Sequence, residues 1–246
     1  MSLEILPIEI TKEIEQNDSI IDLILSSPSR PQIKDGDIFV VTQKIISKQE
    51  GHIVNLSTVT PSILAVGIAS EYGKDPRVVE VILGQSKRIV RMNNGVIIVE
   101  TTHGFVCANA GVDESNVKKD HVTLLPKNAD ESAKKLKNQI MQKTGKNVAV
   151  VISDTFGRPF RVGQTNCAIG ISGIFSITDY VGTKDTFGKT LHVTAIATID
   201  EICSTAELVM GKSLNTPIAI VRNYKFIGSS STVIDLIRPK AEDLFR

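Results

Sequence analysis

The stretch VAVVISDT, residues 148–155, is the most hydrophobic run of the chain and passes directly into polar residues. Its first five residues are apolar and mostly β-branched, which predicts a buried strand. Ser153, Asp154 and Thr155 begin a polar segment that we expect to be a loop and that extends to Arg161. Loops at strand ends are where a rigid scaffold presents functional groups, so this boundary is a candidate site.

A second buried strand is predicted at residues 37–41, after a turn at Asp35-Gly36. The segment that follows it contains Gln43, Lys44 and Lys48. The two lysines are four residues apart, so on a helix they share one face and can meet phosphate together. The alternative is an ordinary basic face exposed to water.

The rest of the chain alternates irregularly between helical and extended patterns. Helices are predicted from Asp18, from Thr60-Pro61 to Gly73, from Asp75-Pro76 to Leu83, from Asp130 to Gly145, and over residues 201–210. Strands are predicted at residues 3–8, 88–92, 95–101, 105–109, 191–199 and 217–221. Neighbouring strands without regular alternation favour an α+β fold, with mixed or antiparallel sheets and flanking helices, over a doubly wound sheet. We expect one domain over residues 1–246, with two intertwined subdomains as the alternative.

Composition excludes several classes of function. The 28 basic and 27 acidic residues nearly cancel, which argues against bulk electrostatic binding to nucleic acid or membranes. Aromatic residues are only 4% of the chain, so base-stacking platforms are not expected. The three cysteines are far apart, which suits reduced thiols in a cytoplasmic protein rather than a disulfide or zinc framework. No signal peptide and no apolar run of about 18 residues is evident.

The common nucleotide-binding loops are not present in the sequence. Gly188-Lys189-Thr190 and Gly211-Lys212-Ser213 resemble the end of a phosphate-binding loop, but Thr183 and Ala206 stand where that motif requires glycine. A nucleotide would therefore have to bind by other means.

Two aspartates are the strongest candidates for chemistry. Asp113 lies in NAGVDESN, residues 109–116, which follows another predicted strand, as Asp154 follows residues 148–152. Two carboxylates about 4 Å apart repel by about 4 kcal/mol at an effective dielectric near 20, and a divalent cation would reverse that sign. Oxygen donors, including the hydroxyl of Thr155, suit Mg²⁺ or Mn²⁺ rather than zinc. The alternative is structural, with Asp113 forming a turn and Asp154 capping a helix.

Arg158 and Arg161 stand close to Asp154 in the sequence, and Pro159 between them stiffens the segment. Arginine forks match carboxylate and phosphate oxygens. A surface ion pair of little energetic value is the alternative.

Together these segments resemble the coenzyme F420-0:L-glutamate ligase family, in its free-standing archaeal form. The resemblance covers nearly the whole chain and rests on residues 4–7, 40–48, 109–116, 152–158, 163–165, 168–170 and 217–222. Members of that family use GTP to join L-glutamate through amide bonds to the lactyl-phosphate arm of a deazaflavin coenzyme, and then to its growing γ-linked tail. With 246 residues, we expect no second, flavin-binding domain of the kind fused to some bacterial relatives. The implied assembly is an intertwined homodimer with an α+β fold.

The resemblance also implies roles for individual residues. Asp113 and Asp154 correspond to ligands of one divalent cation and Thr155 to a ligand of a second, while Lys212 stands where some members have an acidic or amide ligand. Mg²⁺ or Mn²⁺ is implied at two sites, with K⁺ as a further candidate, and GTP is a co-substrate. The implied GTP contacts are Thr11, Lys12, Glu13, Ile14, Gln43, Lys44, Lys48, Asn116, Gly211 and Lys212.

The implied reaction begins when the terminal carboxylate of the coenzyme attacks the γ-phosphate of GTP to give an acyl phosphate, from which the glutamate amine displaces phosphate. Asp113, Asp154 and Arg158 are the expected catalytic residues, with Arg158 steadying an anionic substrate group. Two alternatives stay open. One is a related nucleotide-dependent acid–amine ligase with another acceptor, and the other is a non-catalytic module that binds GTP or a deazaflavin.

Overall fold

The structure is a computed structural model that describes residues 2–226 and 228–243. Over these residues the strands are β1 (Glu4–Ile8), β2 (Ile38–Thr42), β3 (Ile53–Asn55), β4 (Ser86–Asn93), β5 (Val96–Thr101), β6 (Val106–Ala108), β7 (His121–Thr123), β8 (Ala149–Arg158), β9 (Arg161–Ser172), β10 (Thr178–Asp179), β11 (Ala195–Ile196) and β12 (Ile218–Arg222). The α-helices are α1 (Ile20–Ser26), α2 (Gln43–Gln49), α3 (Ile63–Tyr72), α4 (Pro76–Gly84), α5 (Ala129–Thr144) and α6 (Thr198–Met210).

A five-stranded sheet in the order β1-β12-β2-β8-β9 forms the centre of the molecule. Strands β2 and β8 pair in parallel, with Val40 opposite Val151 and Thr42 opposite Ser153, and the other neighbours are antiparallel. Smaller sheets are formed by β3-β7, β4-β5-β6 and β10-β11. The predicted class, mixed helices and strands with mixed sheets, is confirmed, and β2 and β8 are the two buried strands that the sequence predicted.

The central sheet is buried on both faces where β2 and β8 pair, because residues 38–41 of β2 and residues 149–152 of β8 are all apolar. Phe39 and Val150 belong to a core that includes residues of α1 and α5. Val40 and Val151 belong to a second core that includes residues of α6. Strands covered on both faces read as continuous hydrophobic runs rather than alternating ones, which explains the composition of β2 and β8.

A third hydrophobic cluster lies in the middle of the chain. It joins α3, α4 and β5 through residues such as Ile68, Val79, Ile82 and Ile97. Helix α4 begins as predicted, because Asp75 caps it by accepting a hydrogen bond from the Arg77 backbone N–H and Pro76 occupies its first turn.

Several predicted boundaries are wrong. Helix α3 begins at Ile63 with Ser62 as its cap, not at Thr60-Pro61, because the Ser62 hydroxyl accepts a hydrogen bond from the Ala65 N–H. Serine and threonine are both favoured at helix N-caps, so either could begin the helix from sequence alone. In the same way α1 is capped by Ser19 rather than Asp18, and α5 by Asn128 rather than Asp130.

Two predicted segments have a different structure. The strand predicted at residues 191–199 is reduced to Ala195–Ile196, and helix α6 already begins at Thr198. The loop predicted at residues 153–161 is instead largely strand, because β8 continues to Arg158 and pairs with β9 in a long hairpin. Within the described residues there is no helix long and apolar enough to cross a membrane.

Candidate functional site

A cavity of about 920 Å³ opens where the parallel pairing of β2 with β8 ends, at Thr42 and Ser153. Its walls come from six segments that are distant in the sequence: residues 10–14, 42–48, 107–116, 153–157, 164–166 and 211–217. The carboxyl ends of parallel strands are a recurrent location for ligands in sheets flanked by helices. The cavity therefore collects both polar segments that the sequence singled out.

Asp154 is presented to the cavity by a strand, not by a helix cap as the structural alternative supposed. Burial raises the pKa of its carboxyl to about 6. The Thr155 backbone N–H lowers this pKa and the neighbouring charge of Asp113 raises it. Two carboxylates from distant segments thus line one cavity, and the charge of Asp113 helps to raise the pKa of Asp154.

Asp113 is held in a turn, as that alternative supposed, and it also lines the cavity. Its Oδ1 accepts a hydrogen bond of 2.7 Å from the Ser115 N–H, and its Oδ2 lies 2.6 Å from the Nζ of Lys44. Burial raises the pKa of the Asp113 carboxyl, but the Lys44 ammonium and the Ser115 donors lower it below its usual value. Asp113 therefore stays ionised with a positive charge beside it.

Thr155 belongs to a chain of hydrogen bonds between the hairpin and the end of α6. Its hydroxyl donates to the Oδ1 of Asn166 at 2.8 Å and accepts from the Nζ of Lys212 at 2.8 Å. Asn166 donates to Glu207 at 3.0 Å, and Glu207 pairs with Lys212 at 3.0 Å. The Thr155 hydroxyl oxygen therefore already accepts a hydrogen bond from the Lys212 ammonium group.

The predicted lysines on α2 both face the cavity, so the alternative of a water-exposed basic face is wrong. Lys48 is only 6% exposed and forms an ion pair with Glu13. Gln43 is buried on the same helix and accepts a hydrogen bond from the Ser47 hydroxyl at 2.9 Å. Lys44, one turn before Lys48, reaches Asp113 as described.

The structure brings together nearly all of the residues for which a GTP contact was predicted. The cavity is lined by Lys12, Glu13, Ile14, Gln43, Lys44, Lys48, Asn116, Gly211 and Lys212. Thr11 is exposed and is not among the lining residues, although its neighbours on both sides are.

Arg158 lies outside the cavity, at the end of the β8–β9 hairpin. Its guanidinium donates to the carbonyls of Val162 at 2.7 Å and Gly163 at 3.2 Å, which closes the hairpin turn. Arg161 is exposed at the same turn. A role for Arg158 at the reacting groups stays a prediction, and it would require the side chain to leave both carbonyls.

The sequence reasoning missed several polar residues of the site. Asn166 and Glu207 complete the network around Thr155. Ser153 lines the cavity, and its buried hydroxyl has no hydrogen-bond partner among the described residues. Buried polar groups are almost always paired, so such an oxygen is typical of a site that meets a ligand. Asn166 could have been found from the sequence only as the cross-strand partner of Thr155. That step required β8 to be predicted to extend beyond residue 152.

A cavity at the edge of a mixed sheet, lined by carboxylates, hydroxyls and four lysines (Lys12, Lys44, Lys48 and Lys212), is typical of an enzyme that binds anionic small molecules. Within the described residues no group of three or more His, Cys, Asp or Glu side chains is placed to hold a metal. The chain belongs to the F420-0:Gamma-glutamyl ligase family, whose model matches residues 9–223.

Individual relatives agree with this assignment. The chain is 48% identical to Coenzyme F420:L-glutamate ligase of Methanocaldococcus jannaschii. The alignment covers 87% of this chain and 86% of the relative. It is 41% identical to the protein of that name from Methanothermobacter thermautotrophicus, with both chains covered in full. The protein of the same name from Archaeoglobus fulgidus is 38% identical over all of this chain and 97% of its own.

Proposed function

We propose that this protein is a GTP-dependent ligase that adds L-glutamate to coenzyme F420-0 through amide bonds, by way of an acyl phosphate. The observation that carries the proposal is the meeting of Asp113 and Asp154 in a cavity rich in lysines. The names of the relatives, which match over nearly their whole length, support the acceptor and the amino acid.

Nucleotide binding is supported by the charge of the cavity walls. Lys48 is buried against the wall and Lys44 lies beside it on α2, where their ammonium groups can neutralise a polyphosphate. Lys212 approaches from the loop after α6. Within the described residues the buried Lys48 is paired with Glu13, whose side chain is exposed, and a phosphate could take the place of that carboxylate.

The residues present fit a divalent cation between Asp113 and Asp154, provided that it displaces the Lys44 ammonium, which now contacts the Oδ2 of Asp113 at 2.6 Å. Two carboxylates repel each other there, all donors are oxygens, and the Ser153 hydroxyl is unpaired nearby within the described structure. These are donors that Mg²⁺ or Mn²⁺ prefers. A bound cation would supply charge neutralisation to the phosphates during transfer. Thr155 fits a second cation less well, because Lys212 already lies 2.8 Å from its hydroxyl.

The reaction needs two displacements. An acceptor carboxylate oxygen bonds to the γ-phosphorus of GTP while the bond from that phosphorus to GDP breaks. The glutamate amine then bonds to the acyl carbon, loses a proton, and phosphate leaves. Both steps bring anions together, and the ammonium groups of Lys44 and Lys212 lie where they can screen that repulsion. Asp113 and Asp154 would hold the cation at the phosphate end of the nucleotide.

The test is mass spectrometry of the deazaflavin after incubation with the protein, GTP, Mg²⁺ and L-glutamate. We expect the mass to rise in steps of one glutamyl unit, with one GDP and one phosphate formed per step. Binding of GTP and the coenzyme without phosphate release would indicate a non-catalytic module. Phosphate release only with a different acid acceptor would indicate a related acid–amine ligase instead.

A further inference from the structure

A lysine occupies the space beside Thr155, the residue whose oxygen was predicted to bind a second divalent cation. The Nζ of Lys212 donates a hydrogen bond of 2.8 Å to the Thr155 hydroxyl and lies 3.0 Å from the Oε1 of Glu207. A divalent cation such as Mg²⁺ binds an oxygen at about 2.1 Å. An ion on the Thr155 oxygen would therefore lie no more than about 5 Å from the ammonium group, and the two positive charges would repel each other.

The other polar groups around Thr155 are bonded to one another. The Thr155 hydroxyl donates to the Oδ1 of Asn166, and the Nδ2 of Asn166 donates to the Oε2 of Glu207. The other carboxylate oxygen of Glu207 meets Lys212. Glu207 is the acidic member of this network, and both of its oxygens are thus engaged. A second divalent cation would have to break these contacts to gain an anionic ligand here.

The end of α6 is shaped so that Lys212 turns back towards the hairpin. Glu207 lies in the last turn of α6, and its carbonyl accepts a hydrogen bond from the Gly211 N–H at 3.1 Å. Gly211 has a φ of 55° and a ψ of −169°, a combination that is essentially restricted to glycine. This conformation ends the helix and changes the direction of the chain. Lys212, the next residue, then reaches Thr155.

The Lys212 ammonium also acts on the cavity. Lys212, Thr155 and Asp154 all line it, and the positive charge of Lys212 partly offsets the rise that burial causes in the pKa of the Asp154 carboxyl. A lysine ammonium is a compact charge with three hydrogen-bond donors. Within the described residues Thr155 and Glu207 take two of these donors, so one remains for a phosphate oxygen.

We propose that the Lys212 ammonium takes the place of a second divalent cation, so that each chain holds one divalent ion and uses the lysine as a second positive charge on the phosphates. This inference rests on the function proposed above, and it differs from the two divalent ions that the family resemblance implies. The alternative is a surface ion pair that only ties Lys212 to Glu207, because the Lys212 side chain is 62% exposed.

The number of bound ions separates these explanations. Each full-length protein is dialysed to equilibrium against Mn²⁺ and GDP, and metal analysis measures the excess Mn²⁺ in the protein compartment. We expect one Mn²⁺ per chain for the parent and two for Lys212→Glu, because this substitution removes the ammonium and supplies a carboxylate beside Thr155 and Glu207. Lys146→Glu is the matched control and should bind one ion, because Lys146 also lies beside an acidic residue, Asp35 at 3.1 Å, but outside the cavity.

Lys212→Met tests whether the charge acts on the phosphates. It removes the ammonium and supplies no oxygen ligand, so kcat for amide formation should fall about tenfold or more, and a higher Mg²⁺ concentration should not restore it. In Lys212→Glu the rate should instead rise with about the second power of the Mn²⁺ concentration, because two ions must bind. A kcat of Lys212→Met within twofold of the parent would leave Lys212 as a surface ion pair and would overturn the inference.

The ion count also distinguishes failure of this inference from failure of the proposed function. Two Mn²⁺ per parent chain, equal counts for the parent and Lys212→Glu, or a second ion in Lys146→Glu would each overturn the inference while leaving the ligase activity standing. Counts of one for the parent and two for Lys212→Glu, in a parent that forms no amide, would support the inference, and only the proposed function would fail. A circular dichroism spectrum equal to the parent's confirms that each variant is folded.

Discussion

Asp113 and Asp154 carry the same carboxyl group, yet their surroundings move its pKa in opposite directions. Lys44 and the donors of Ser115 lower the pKa of Asp113 against the effect of burial. Burial raises the pKa of Asp154 to about 6, and its lysine neighbours only partly offset this. The surroundings therefore stabilise the charged form of Asp113 and destabilise the charged form of Asp154. An additional positive charge would stabilise the ionised carboxylate of Asp154.

Replacing Asp154 by Asn should therefore remove activity and increase stability. We expect amide formation to fall at least a hundredfold, because the proposed cation would lose an anionic ligand. The pKa of Asp154 is raised from 3.8 to about 6 on folding, so its contribution to stability is present below pH 4 and lost as the pH rises through 6. At pH 7.5 without metal, Asp154→Asn should raise the free energy of unfolding by at most about 3 kcal/mol, measured by thermal unfolding in EDTA.

The gain in stability should vanish near pH 4, where the Asp154 carboxyl of the parent is protonated. Asp200→Asn is the matched control, because Asp200 also has a raised pKa but lies outside the cavity and only accepts a hydrogen bond from the Ala168 N–H. Activity of Asp154→Asn within a few-fold of the parent would show that this carboxylate holds no cation.

At the scale of elements, the β8–β9 hairpin is what the sequence predicted least well. The buried half of β8 was evident from its apolar run, but residues 153–158 are mainly polar and include a glycine. Their strand conformation depends on pairing with β9, as Thr155 pairs with Asn166 and Gly157 with Gln164. Pairing between segments is not visible in a local pattern, so the prediction of a loop followed. The same reason explains residues 191–199, which looked like a strand but form a regular strand ladder at Ala195 and Ile196 before α6 begins at Thr198.

The hydrogen-bond network of the hairpin can be tested through Asn166, which is 2% exposed. Replacing it by Ala leaves the Thr155 hydroxyl and Glu207 each without one partner. We expect the free energy of unfolding in urea to fall by about 1–3 kcal/mol, the usual cost of unpaired buried polar groups. Gln139→Ala on the exposed face of α5 should change stability by no more than about 0.5 kcal/mol. Equal effects of the two substitutions would mean that the network contributes nothing.

At the scale of the molecule, the cavity is made by tertiary folding rather than by any one motif. The sequence identified Asp113, Asp154 and the lysines of α2 because each follows a predictable strand. It did not identify Ser153, Asn166 or Glu207, whose importance comes only from what they contact in space. Patterns in a single sequence indicate the hydrophobic periodicity of helices and strands and the positions of helix caps. A site built from six segments depends instead on the order of the strands in the sheet.

An arm formed by residues 180–194 gives a basis for the predicted homodimer. It is flanked by strands β10 and β11, which pair with each other, and within it Phe187 and Val193 are 95% and 90% exposed. Long segments without core contacts are uncommon in compact domains unless they serve a function. We expect this arm to pack on a second copy of the chain, where such side chains would lose their contact with water.

Shortening the arm should therefore produce a monomer. The Gly182 N–H donates to the Leu191 carbonyl at 2.9 Å, so residues 183–190 can be replaced by Asn-Gly, which suits a tight turn. Light scattering after size exclusion should show a mass of one chain for this variant and twice 26.7 kDa for the parent. Phe187→Asp should weaken the dimer in the same direction, whereas Leu208→Asp, at a residue 81% exposed on α6, should leave it intact. A shortened variant that keeps the mass of two chains would place the dimer contact elsewhere on the surface.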